Sequence, residues 1–174
     1  MQLNETQKLI LSSFFLSLAI VLPFLTGSIE FLGASFLPMH LPIIICGYIC
    51  GPKYGGLIGF ISPLLRTVLF GMPPFYPIAI AMSLELATYG FVIGLLYQYS
   101  KKNILHIYLS LILAMIAGRI VLGVANVILL GLDGVIYSFS SFISAAFIVA
   151  LPGIVFQLIS IPLIILAIKK VDHR

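Results

Sequence analysis

The chain has 174 residues, of which 61% are hydrophobic and 8% charged, and its mean hydropathy is +1.24. So few polar residues cannot cover a soluble globule of this size, which excludes a water-soluble enzyme or binding module and leaves an integral membrane protein. A formal net charge of +4 does not signal nucleic-acid binding, because the cations sit in small groups between apolar segments and nowhere form a basic stripe.

A polar start containing Asn4, Glu5 and Lys8 leads into a first apolar segment, Leu9 to Leu25. It lacks the small-residue cleavage pattern of a secretory signal and reads as a retained helix. Gly27 to Pro38 then breaks the run as a loop, with Gly27, Ser28 and Gly33 as loop formers and Glu30 as its charge. Leu41 to Cys50 is apolar but short and ends at the turn signal Gly51-Pro52-Lys53-Tyr54-Gly55-Gly56, which leaves open whether it crosses fully. The third segment, Leu57 to Phe70, is closed by Gly71-Met72-Pro73-Pro74-Phe75-Tyr76-Pro77, whose prolines remove backbone donors and forbid a continuous helix.

Ile78 to Tyr97 is a fourth helix, ended by Gln98 to Asn103 with Lys101 and Lys102. Ile104 to Leu130 is a fifth, stopped by Gly131-Leu132-Asp133-Gly134. The sixth, Phe139 to Ile168, runs to roughly 30 residues where ~20 suffice to span a bilayer, and it contains Pro152-Gly153 and Pro162. A kink or tilt is expected there. The fold class is thus an all-α integral membrane protein, one membrane domain over residues 1–174 with about six transmembrane helices and no soluble domain.

Cytoplasmic loops carry the excess of Lys and Arg. With the N-terminus inside, Lys8, Lys53, Lys101, Lys102, Lys169, Lys170 and Arg174 all fall on the cytoplasmic side. A re-entrant hairpin from Leu41 to Phe70 would return to the same side as two full crossings, so both termini are cytoplasmic either way. The remaining arginines, Arg66 and Arg119, lie within apolar segments, as does Glu85.

Ionisable residues inside a membrane usually face a cavity or a partner. At 1.5 Å rise per residue, Arg66 lies roughly 6 Å, Glu85 about 10 Å and Arg119 about 16 Å below the outer helix ends, with Asn126 one heptad above Arg119. The outer loops add Glu30, His40, Tyr76, Asp133 and Tyr137, so the outer half is the polar one. Glu85 can neutralise one arginine in a structural ion pair, but two arginines against one carboxylate leave a cation over. A bound anion would supply its partner, since Arg holds carboxylates and phosphates through paired donors. The candidate substrate-binding residues are therefore Arg66, Glu85, Arg119, Asn126, His40 and Tyr76. Interhelical hydrogen bonding suits Asn126 and Gln157 as well as ligand contact does.

Ser13 and Ser17 on the first helix have the small-xxx-small spacing that lets another helix approach closely, which fits a partner surface or internal packing equally; Gly55 and Gly59 share that ambiguity. Cys46 and Cys50 with His40 make a poor metal site, so no metal is expected. Gly51-Pro52-Lys53-Tyr54 lacks the spacing of a phosphate-binding loop, so ATP hydrolysis must come from elsewhere. His40, His106 and His173 are scattered, and no nucleophile and base fall within reach of each other, so the chain is not expected to be an enzyme.

The order Leu37-Pro38-Met39-His40-Leu41-Pro42, Gly51-Pro52-Lys53-Tyr54-Gly55, Gly71-Met72-Pro73-Pro74 and then Glu85 to Gly90 resembles the substrate-binding S component of energy-coupling factor (ECF) transporters over nearly the whole chain. The resemblance implies a six-helix module of the bacterial plasma membrane that captures a vitamin or precursor from outside. It also implies association with a transmembrane coupling subunit and two cytoplasmic ATPase subunits, and needs no cofactor. It places the pocket in the outer loops and the outer halves of the fourth to sixth helices, and puts Ser13 with Ser17 nearest to the Ala-x3-Ala motif that meets the coupling subunit, serine replacing alanine. Toppling of the S component in the bilayer during release is a further implication.

The fold does not choose the substrate. The surplus arginine leans toward an acidic vitamin such as pantothenate. Thiamine would call for stacking aromatics and more carboxylates, and cobalt or nickel S components begin Met-His where this chain begins Met-Gln. The alternatives are a stand-alone proton-coupled secondary carrier using Glu85, or a structural membrane subunit.

Overall fold

The computed structural model describes residues 3–26, 37–100, 103–134 and 137–172. The loop expected from Gly27 with Glu30 and Gly33, the Lys101–Lys102 pair, His173 and Arg174 lie outside them. Among the described residues every regular element is helical. The first helix, α1 (Glu5–Val21), opens four residues before the apolar run begins, because the backbone N–H of Asn4 is capped by the Gln7 side chain at 3.0 Å. It tightens into a 3₁₀ turn, Leu22–Thr26, at Pro23.

A second helix, α2 (His40–Cys50), is apolar on all sides, and nine of its eleven residues are buried. At roughly 16 Å it is about half the ~30 Å hydrocarbon thickness, so it does not cross fully; it forms the centre of the bundle. Gly51, at φ 88°, reverses the chain straight into α3 (Pro52–Phe70), with Pro52 at its start. The residues Lys53 to Gly56, expected in a turn, are instead the first turn of α3. Their glycines serve close packing. Gly71, at φ 72°, ends the helix in the left-handed conformation.

A wide turn, Phe75–Ala79, precedes α4 (Ile80–Gln98). The α3–α4 contact is backbone on backbone. A Cβ on Gly55 would stand 2.6 Å from the Gly90 carbonyl oxygen and 2.8 Å from the Gly47 Cα. One on Gly90 would overlap the Gly55 carbonyl, and one on Gly59 the Leu86 carbonyl. Gly55 and Gly59 therefore serve internal packing, which settles one of the two ambiguous small-residue pairs.

Next comes α5 (Ile104–Leu132), two residues longer than expected. The expected sixth helix is divided into α6 (Phe139–Ile143), a wide turn Ser144–Val149, and α7 (Leu151–Asp172). The division at Ala150 lies just before Pro152, which has no N–H to carry the helical ladder across it, so the expected long helix is interrupted there.

The surface is apolar where a soluble protein's would be charged: Val68, Leu105, Ile120, Ile148 and Leu163 are all more than half exposed. Four stretches are long and apolar enough to cross a membrane, Glu5–Phe24, Phe75–Gln98, Ile104–Leu132 and Leu151–Lys170, and His40–Cys50 and Phe139–Val149 are shorter apolar helices. The protein is a multi-pass membrane protein. Polar side chains are inside, with His40, Arg66, Glu85, Arg119 and Gln157 all buried.

Candidate functional site

Three of the six expected binding residues come together. Glu85, one turn and a half into α4, meets Arg119 of α5, with Nη1 3.1 Å from Oε1. His40 brings its Nε2 to 3.7 Å from the same oxygen. It opens α2 instead of lying in the outer loop, because the chain turns at Leu37, whose carbonyl accepts the His40 N–H at 3.0 Å. His40, Glu85 and Arg119 are 1%, 2% and 5% exposed, so the cluster is dry. With α5 ending at Leu132, Arg119 stands thirteen residues from its outer end, roughly 20 Å at the helical rise.

Tyr89 joins them unforeseen. It follows Glu85 by four residues, which places both on one face of α4, and its ring meets that of His40 edge to face at 5.3 Å. Gly118, beside Arg119, makes room for the Tyr89 ring: a Cβ there would stand 3.0 Å from it. The i,i+4 spacing was visible in the sequence, but nothing in it singled out this tyrosine among eight as the one that meets His40.

The chemistry of this cluster lies in what is unused. Glu85 and Arg119 are close enough for strong attraction, yet the contact lacks the alignment of a hydrogen bond. Arg119 Nε and Nη2 and both His40 ring nitrogens are buried without a hydrogen-bond partner among the described residues. A buried donor left unmade costs about 1–3 kcal/mol. A guanidinium edge with both donors idle is shaped for two acceptor oxygens.

Arg66 is engaged elsewhere. Its Nη1 donates to the Ile20 carbonyl at 2.7 Å, and its guanidinium lies 4.7 Å from the Phe24 ring centroid and 5.9 Å from that of Phe70. In a 3₁₀ turn the Ile20 carbonyl would look to Pro23, which has no N–H, so Arg66 supplies a donor where the turn lacks one. The cation expected to be left over thus ties the outer end of α1 to α3. Arg66→Met, which keeps the packing and removes the donors, is expected to lower stability by about 1–3 kcal/mol in a detergent unfolding experiment. Unchanged stability would refute the anchoring role.

Tyr76 donates its hydroxyl to the Leu129 carbonyl at the outer end of α5. Asn126 is half-buried near Tyr137. Burial pushes the Tyr137 phenol up, and the Asn126 side chain opposes that shift. Neither residue belongs to the Glu85 cluster. Beside them runs an apolar groove of about 430 Å³, lined by Ile120, Val124, Val127, Tyr137 and Phe142 among others. Phe142 seats on Gly123, where a Cβ would come within 2.7 Å of the ring. Gln157 of α7 is buried with its amide nitrogen unpartnered among the described residues.

Ser13 and Ser17 are exposed. Each hydroxyl turns back to donate to the carbonyl four residues earlier, Leu9 at 2.9 Å and Ser13 at 3.1 Å. With their hydroxyls satisfied locally they present a shallow strip between Ile10, Phe14 and Val21, while Ser12 and Ala19 face inward. Among the described residues no group of three His, Cys, Asp or Glu side chains could hold a metal.

Over residues 7–170 the chain matches the family model described as ECF transporter, substrate-specific component. No curated protein and no solved structure matches it.

Proposed function

As the chain belongs to the family of substrate-specific components of ECF transporters, we propose that it captures a small carboxylated vitamin or precursor at the outer face, pantothenate being the first candidate. Delivery then requires a transmembrane coupling subunit and two cytoplasmic ATPases, since this chain carries no phosphate-binding loop of its own. The observation that carries the acidic-substrate reading is the idle Nε and Nη2 edge of Arg119. A purely structural ion pair has no use for two further buried donors, whereas a substrate carboxylate would satisfy both at once. His40, Glu85 and Tyr89 complete the binding cluster. Tyr76 and Asn126 stand nearer the outer surface, on the route an external solute would take. Arg66 shapes the site through α1 and not by contact. The exposed Ser13–Ser17 strip is the proposed meeting surface for the coupling subunit.

The test has two limbs. Purified protein in detergent is titrated with water-soluble vitamins and its unfolding followed, since a ligand at 100 times its Kd adds about 2.7 kcal/mol to the folded state. Stabilisation by a carboxylated vitamin and not by thiamine supports the reading; stabilisation only by uncharged or cationic compounds overturns it. In the second limb, Ser13→Leu with Ser17→Leu is expected to abolish co-purification with the coupling subunit while leaving vitamin stabilisation intact. Retained co-purification would move the partner surface off this strip.

A further inference from the structure

Resting on the acidic-substrate reading above, we infer that a carboxylate arriving on the idle Nε and Nη2 edge of Arg119 turns Glu85 from Nη1 toward His40, with uptake of one proton by the cluster. Three facts lead there. One oxygen, Glu85 Oε1, is approached by both Arg119 Nη1 at 3.1 Å and His40 Nε2 at 3.7 Å, so a small side-chain movement exchanges its partner. Both His40 nitrogens are buried and without a hydrogen-bond partner among the described residues, so none of these holds the imidazole. And the cluster is dry, so its charge must balance internally.

The charge count decides the outcome. With a neutral imidazole, Glu85 and Arg119 sum to zero. A second carboxylate on Arg119 makes the cluster net negative, and an uncompensated buried charge is strongly destabilising. One proton from water, added to a His40 ring nitrogen, restores neutrality. The imidazolium then faces Glu85, and Arg119 turns its full set of donors to the ligand. The donor is a solvent hydronium or a buffer acid, whose bond to that proton breaks as the N–H forms and whose conjugate base stays in solution; no other covalent bond changes.

The other titratable groups near His40 do not fill this role. Tyr89 of α4 faces its ring and is a neutral donor at physiological pH. Arg119 of α5 stands behind Glu85. Arg66 of α3 is turned to Ile20. Glu5 and Lys8 of α1, Lys53 of α3, and Lys169 and Lys170 of α7 sit at the opposite, cytoplasmic end of their helices. Glu30 lies outside the described residues. Glu85 is thereby a specificity-determining residue: only an anion on the free edge of Arg119 draws the guanidinium from it, and a neutral or cationic solute leaves the internal pair in place.

The experiment is isothermal titration of the wild-type protein in detergent with pantothenate and, separately, with biotin, each in buffers of different ionisation enthalpy and from about pH 6 to about pH 8, the range in which histidine changes charge. The expected result is uptake of about one proton per ligand bound and an affinity that falls up to about tenfold per pH unit toward alkaline pH. Glu85→Gln removes the second negative charge beside Arg119 and is expected to bind more tightly with no proton uptake; His40→Gln is expected to lose the pH dependence. Binding with no proton uptake in the wild type overturns the exchange and leaves the acidic-substrate reading standing. Failure of pantothenate and biotin here, together with every carboxylated vitamin in the unfolding screen, to bind overturns both.

Discussion

Arg119→Leu is expected to destabilise the protein by about 3–5 kcal/mol, because it strands Glu85, 2% exposed, as an unpaired carboxylate in the centre of the bundle. The reciprocal Glu85→Leu strands Arg119 and is expected to fall in the same range. Replacing both partners together is different. Glu85→Leu with Arg119→Leu puts apolar groups against apolar groups and is expected to recover most of the loss, so the two single costs will not add. Thermal unfolding in detergent of the four proteins measures the cycle. Single variants as stable as wild type would show that the pair is not compensated as the geometry implies. The double variant also separates stability from binding. It is expected to fold and to show no vitamin-induced stabilisation, whereas retained stabilisation would move the pocket elsewhere.

Gly90→Ala is expected to disrupt the bundle by an amount at or beyond the upper end of the ~1–3 kcal/mol typical of overpacking. The added methyl meets the Gly55 carbonyl and Cα, and neither is a flexible side chain that can swing away. The helices must separate, and the contact between α3 and α4 is lost along with it. Gly56→Ala is the control. Its Cβ would meet the Phe91 side chain at 3.4 Å, an ordinary contact, and the better helix propensity of alanine offsets the crowding. A Gly90→Ala protein that unfolds at the wild-type temperature would show that the seam is less tight than its backbone contacts require.

The helices, their order and the inside-out polarity were legible in the sequence because long apolar runs with few interruptions permit little else in a bilayer. The interruption in the last helix was legible as well, since Pro152 forbids an unbroken ladder. The start of α3 was not. Gly51 to Gly56 has the composition of a turn, and only the proximity of Gly90, more than thirty residues away, explains why Gly55 holds glycine at a helical position. The candidate site divided in the same way. That Glu85 could answer an arginine was legible by charge, but not that the arginine would be Arg119 instead of Arg66. The partner of Arg66 is a backbone carbonyl 46 residues distant, and no side-chain type encodes a carbonyl. His40 read as a loop residue because two prolines flank it, although the turn that ends at Met39 admits it to the helix.

The glycine seam also orders events in time. It joins α2, α3 and α4, all made before the chain reaches Asn103, while α7 packs against α2 and α5. Synthesis proceeds from the N-terminus, and units that can close early do so. A helix made after them, α7, therefore docks on a framework whose tightest contacts already exist, and the groove beside α5 acquires its Phe142 wall only after that framework has closed.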